Sequence, residues 1–187
     1  PVTRNQQRQT VNIINNMNNA IFNFAEPVNE PVFEYLPGSR ERELIERELR
    51  EQGSKVVEIP LIIGGKEIRT GKMGKVVNPA DHNHVLATYH MATEKEVRMA
   101  IDAALAAKEC WMNLAWMERA AIMAKAADLI SSKYRNRINA ATMLGQGKNL
   151  FQSEIDAVCE VVDYLRFNNY FASMIYGSAP VRQAAQR

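Results

Sequence analysis

From Thr93 to Met174 the chain repeats apolar residues at intervals of three and four, so this part must bury helix faces against one another. Thr93 and Glu96 form a T-x-x-E capping box, and Val97, Ala100, Ile101, Ala104 and Leu105 carry a helix on to about Lys108. A second helix is predicted from near Met117, with Ala121, Ile122, Ala126, Leu129 and Ile130 facing inward and Lys125, Asp128 and Lys133 on its polar side. A third runs from about Tyr134 to Leu144 and ends at the Gly145-Gln146-Gly147 break. Glycines on both sides of Gln146 raise the question of a phosphate loop, but the stretch lacks a Walker pattern and starts no strand-to-helix unit. It reads as a helix cap and turn. The last helix spans about Leu150 to Met174.

Upstream the pattern changes. Residues 1–19 are rich in Asn and Gln, and no acid precedes Glu26. They are expected to be a disordered or non-native tail, with Met17 as a possible natural start. An acid-free, Arg-containing opening resembles a transit segment only weakly, because Ser is absent and Asn is frequent. Pro27, Pro31 and Pro37 hold the next stretch extended. Ser39 then caps a helix of about 40–52 closed by Gly53, whose alternating Arg and Glu residues read as a solvated face. EIPLIIGG and KEIRTG form a hairpin around Gly64 and Gly65, and KVVNPADHNHVLATYH supplies further strand. No helix separates these runs, so antiparallel pairing is expected. The fold class in isolation is α+β, mainly helical with a small antiparallel hairpin.

With 187 residues, 47% hydrophobic, the chain can bury one domain-sized core. Its 23 basic and 21 acidic residues are interspersed, for a net charge of +2, so nucleic acid is not an expected partner. No apolar run reaches the roughly 18 residues that span a bilayer, and a soluble protein is expected. Two cysteines in this length argue against a secreted disulfide scaffold.

One carboxylate stands out within the last helix. On a 3.6-residue period Ala157, Glu160, Tyr164, Phe167 and Phe171 share a stripe, placing Glu160 among three aromatic rings. An acid there calls for a cation in a partly dry place, either a Lys or Arg from elsewhere or a ligand's ammonium. Glu154, Asp156 and Asp163 fall elsewhere around the helix and read as solvated. Cys159 reads as a small buried hydrophobe beside Ile155, Val158 and Val162, and Cys110 has no feature that would lower its pKa, so neither is expected to be a nucleophile. His82, His84 and His90 lack a zinc spacing, and no metal is expected.

The run MLGQGKNLFQSEIDAVCEVVDYLRFNNYFA (143–172) resembles the corresponding segment of 1-pyrroline-5-carboxylate dehydrogenases, a branch of the aldehyde dehydrogenases. EPVFEYLPGSRERELI (30–45), EIPLIIGGKEIRTG (58–71), NPADHNHVLATYHMATEKEVRMAIDAAL (78–105) and RAAIMAKAADLISSKYRNRINAATM (119–143) extend the likeness over about 20–176, in the same order. The resemblance implies NAD-dependent oxidation of glutamate semialdehyde to glutamate, in proline degradation. Glu160 is the residue that matches the acid contacting the substrate's α-ammonium group.

It also implies that residues 20–187 are the N-terminal part of an α/β NAD-binding domain. The nucleophilic cysteine, oxyanion asparagine, glutamate base and nucleotide turn would then lie beyond Arg187. No catalytic or cofactor-binding residue is expected within the chain, which alone should be inactive, and NAD would be held mainly by other parts of the enzyme. A homo-oligomer is expected, in the mitochondrial matrix of a eukaryote or otherwise in the cytoplasm. The tail Ala179–Arg187 departs from the family pattern, so whether it is native stays open. The broad apolar helix stripes should make the isolated chain self-associate or fold only marginally. An alternative is a non-catalytic scaffold or association module that packs on a partner chain, favoured by the lack of any nucleophile or nucleotide loop.

Overall fold

The computed structural model describes residues 24–178; the expected tail, 1–19, and Ala179–Arg187 lie outside the described residues. The chain divides into two compact units. One spans Pro27–Asn169, and the described residues 24–26 and 170–178 belong to the other.

In the larger unit the extended lead-in ends at Tyr35, which is buried and holds a left-handed backbone (φ 53°) that a bulky residue rarely adopts. Ser39 then caps helix α1 (Arg40–Gly53), its hydroxyl accepting from the Arg42 N–H at 3.3 Å. Strands β1 (Val57–Ile59), β2 (Leu61–Ile63), β3 (Lys66–Ile68), β4 (Met73–Asn78) and β5 (Asp81–His90) follow. β2 and β3 make the expected hairpin, turning through Gly64 and Gly65, both at positive φ.

β4 and β5 are likewise antiparallel, with Gly74 directly opposite Tyr89. The Tyr89 ring covers that glycine: a Cβ built there would lie 2.3 Å from the ring. Antiparallel pairing does not hold for β1, which joins β5 in parallel in a three-stranded sheet ordered β1-β5-β4. A parallel pair needs a long connection and not necessarily a helix, and residues 60–80, carrying the β2–β3 hairpin and β4, provide it.

Helix α2 (Glu94–Asn113) starts at the predicted capping box, Glu96 accepting from the Thr93 N–H at 2.9 Å, and runs past the expected end. Helix α3 (Trp116–Ser131) buries Ala120 and Ala127. Its inward face is turned from the expected one, since Ala121 and Ile122 are exposed. Helix α4 (Arg135–Gln146) ends on Gly147 in the left-handed conformation (φ 68°), as a C-cap requires.

After α4 the single predicted helix proves to be three pieces. They are a short turn, α5 (Leu150–Ser153), a π-helical turn (Glu154–Cys159), and helix α6 (Glu160–Ser178). Two apolar clusters hold the helices together. Tyr35, Ile45 and Ala140 pack with Leu49, Met143 and Leu150. Ala127, Val158 and Val162 pack with Ile130, Ile138 and Leu165. In the smaller unit the rings of Tyr170 and Phe171 tilt at 53° with centroids 5.8 Å apart. Among the described residues no helix is long and apolar enough to cross a membrane.

Candidate functional site

The polar centre of the larger unit is built on the π-helical turn. Its first residue, Glu154, was expected on a solvated face and is completely buried. The correction has a sequence signature, because Glu154, Val158 and Val162 recur every four residues and the two valines are equally buried. Arg135, the first residue of α4, meets Glu154 in a buried salt bridge. Its Nε donates to Oε1 at 3.0 Å, and Nη2 donates to the same oxygen. The Phe33 N–H donates to Oε1 at 3.0 Å, while Tyr35 Oη and Asn139 Nδ2 donate to Oε2 at 2.8 and 2.7 Å.

Burial alone would raise the Glu154 carboxyl pKa, but Arg135 and the three other donors outweigh it and hold the group below the usual carboxylate value. The same burial and the facing carboxylate push the Tyr35 phenol up. With both oxygens of Glu154 held by several donors, this carboxylate takes up a proton only below the usual range and has no oxygen free for a ligand. It is architecture.

The remaining guanidinium donors fasten the lead-in. Arg135 Nη1 donates to Glu30 Oε1 and Nη2 to the Pro31 carbonyl, both at 2.6 Å, and its Cζ stacks 3.8 Å from the Phe33 ring centroid. Glu30 Oε2 accepts from Arg166 Nη1 at 2.6 Å. The lead-in also holds α6 directly, since Asp163 accepts from the Glu30 N–H at 2.7 Å and from Asn29 Nδ2 at 2.6 Å.

Glu160 begins α6, immediately after the π-helical turn, and its N–H bonds to the Ile155 carbonyl five residues back. The wide turn changes the phase of the helix, so Ala157 does not continue a 3.6-residue stripe into Glu160. Glu160 is exposed, Tyr164 is 65% exposed, and Phe167 is half-buried. Phe171 belongs to the other unit. The expected partly dry setting is instead an open face. Among the described residues no side chain forms an ion pair or hydrogen bond with the Glu160 carboxylate.

The other sequence candidates are placed just as definitely. All three histidines lie on β5. His84 Nε2 bonds to the Gly53 carbonyl at 2.7 Å. His90 accepts from the Gly71 N–H at Nδ1, 3.1 Å, and so presents Nε2–H to Glu58 at 3.0 Å. Among the described residues no three His, Cys, Asp or Glu side chains converge to hold a metal.

Cys110 is exposed on α2 and Cys159 is buried. Cys159 is no plain hydrophobe, because Arg135 Nη2 lies 3.5 Å from its sulfur and the Pro31 carbonyl 3.8 Å. Burial first and Glu154 second push its thiol up to about 11. The Gly145-Gln146-Gly147 stretch caps α4, with Gly147 facing Pro79.

Comparison with known proteins agrees with this architecture. Residues 67–187 match the aldehyde dehydrogenase family, and the chain belongs to that family. It is 42% identical over 163 residues to the mitochondrial delta-1-pyrroline-5-carboxylate dehydrogenase of Dictyostelium discoideum, covering 87% of this chain and 29% of that protein. It is 48% identical over 153 residues to a probable delta-1-pyrroline-5-carboxylate dehydrogenase of Schizosaccharomyces pombe, covering 81% and 28%. The crystal structure of the Mycobacterium tuberculosis delta-pyrroline-5-carboxylate dehydrogenase bound with NAD superposes with a TM-score of 0.84 at 41% identity, over 88% of this chain and 31% of that one. The chain thus spans about 29% of the length of the first of these relatives.

Proposed function

We propose that this chain supplies the N-terminal part of a 1-pyrroline-5-carboxylate dehydrogenase, which oxidises glutamate 5-semialdehyde to glutamate with NAD in proline degradation. The observation that carries the reading is the 48% identity to a relative of that name over 81% of this chain. The part proposed for this chain is on the substrate side and in the helical scaffold. NAD, which the Mycobacterium structure holds, would be bound by other parts of the enzyme. In a eukaryote the enzyme would work in the mitochondrial matrix, a reading supported by the Dictyostelium relative, whose name calls that protein mitochondrial, and otherwise in the cytoplasm. A homo-oligomer belongs to the same proposal.

Within it, Glu160 is the contact for the substrate's α-ammonium group. Its support is an exposed carboxylate, unpaired among the described residues, at the end of a π-helical turn, a feature that recurs at functional sites. A charge-assisted hydrogen bond to an ammonium is worth about 1.5 to 3 kcal/mol. In the complete enzyme, Glu160→Ala should therefore raise KM for glutamate semialdehyde roughly 10- to 150-fold, by the usual tenfold per 1.4 kcal/mol, with little change for NAD. Equal effects on both substrates would reject the role.

A second reading is a scaffold that seats on further protein. It is favoured by the stripe Val97, Ile101 and Leu105 on α2, which are 50%, 53% and 60% exposed. Sedimentation of the chain with and without the rest of the enzyme discriminates the two, since only a scaffold would act through binding alone.

A further inference from the structure

We propose that the segment Asn29–Tyr35 is a strap that sets the rotation of the helix carrying Glu160, and that Asp163 is a positioning residue for that acid; the proposal rests on Glu160 being the ammonium contact.

A π-helical turn is not what a chain adopts from backbone preference, since its hydrogen bonds are less favourable than those of an α-helix and its interior fits poorly. Something outside the turn must hold it. Here the strap bonds on both sides. On the N-terminal side, the Phe33 N–H and Tyr35 hydroxyl grip Glu154, the first residue of the turn. On the C-terminal side, the Glu30 N–H and the Asn29 side chain grip Asp163, three residues beyond Glu160. Arg135 ties the middle of the strap down through the Pro31 carbonyl, and Arg166 holds Glu30 from α6 itself. Glu160 lies between the two grips and turns outward to solvent.

The phase of α6 relative to the turn is therefore fixed by the distance between two points on one extended segment. If the turn relaxed so that the Glu160 N–H bonded four residues back instead of five, α6 would rotate by roughly 100°, one residue's share of an α-helical turn. Glu160 would then leave its present face. The Glu154 grip is wholly buried, so cutting it threatens the fold, whereas Asp163 is only half-buried and can be cut with the core in place.

The test uses the complete dehydrogenase carrying this sequence. Asp163→Ala removes both C-terminal bonds and is expected to raise KM for glutamate semialdehyde about tenfold, below the roughly hundredfold that a 1 Å misplacement can cost, with kcat and the NAD KM within about twofold of the parent. Asp163→Asn keeps an oxygen for the Glu30 N–H and is expected to recover most of the loss. In a Glu160→Ala background Asp163→Ala should add nothing, and amide exchange across residues 155–165 should accelerate in Asp163→Ala but not in Glu160→Ala. An unchanged aldehyde KM in Asp163→Ala, or fully additive effects in the double variant, would overturn the strap role while leaving Glu160 as a contact. An unchanged aldehyde KM in Glu160→Ala would instead remove the substrate role of Glu160, and with it anything for the strap to position.

Discussion

Glu154 and Glu160 bracket one π-helical turn, and the first is completely buried under donors from Arg135, Phe33, Tyr35 and Asn139 while the second, six residues on, is exposed. A carboxylate that has given both oxygens to donors holds structure. One that has kept them is free to meet a ligand.

Breaking the buried pair from one side leaves an uncompensated charge in a dry place. Arg135→Met should therefore destabilise the fold by about 3 to 5 kcal/mol, because Glu154 keeps neutral donors such as Asn139 but loses the buried cation that pairs with it. Arg42→Ala, which removes an exposed α1 ion pair, should cost well under about 1 kcal/mol. Urea titrations of the two variants beside the parent check the contrast, and similar midpoints would contradict it.

The pH dependence has a defined sign. The folded-state pKa of Glu154 lies below its ordinary value of 4.5, so its ionised form contributes stability that is fully present above that value. That contribution is lost as pH falls from about 4.5 through the depressed folded-state pKa. Glu154→Gln should flatten the acid limb of a stability–pH curve below about pH 4.5 and leave its shape near neutrality unchanged. A parallel displacement at all pH values would show that proton linkage at this group is not the cause.

The cysteines should separate by reactivity. Cys110 is exposed, whereas Cys159 is buried beneath the strap with its thiol pushed up to about 11. At pH 8 iodoacetamide should modify Cys110 in the native protein and reach Cys159 only after denaturation. Peptide mass mapping distinguishes the two, and modification of Cys159 in the native state would show that the strap opens readily.

Local chemistry was largely legible in the sequence. Ser39, the Thr93–Glu96 box, the Gly64–Gly65 turn and the Gly147 cap all depend on neighbouring residues, and each falls where the sequence places it. The misreadings are tertiary. Glu154 looks solvated until Arg135, 19 positions away, is brought to it. The parallel partner of β1 lies beyond an intervening hairpin and strand. The inward face of α3 is chosen by Val158 and Val162, which pack on Ala127, and not by its own strongest apolar run. Glu160, Tyr164 and Phe167 do follow one another on the regular helix α6, and only Ala157 falls on the far side of the π-helical turn. The period was read correctly beyond the turn, but it does not say whether that face is covered, and Glu160 and Tyr164 are exposed.

The bonds between strap and helices also bear on how the chain reaches its native state. Arg135 and Glu30 are 105 positions apart, Tyr35 and Glu154 are 119, and Arg166 and Glu30 are 136, whereas each helix closes its own bonds four residues at a time. Joining such distant points bears a loop-closure entropy that no local contact offsets until the helices are in place. The strap is thus expected to be among the last parts to dock and the first to let go, so that Asp163→Ala should speed unfolding and leave the refolding rate nearly unchanged in stopped-flow measurements. Its bonds act as a latch on the rate of unfolding, and add little to the speed of folding.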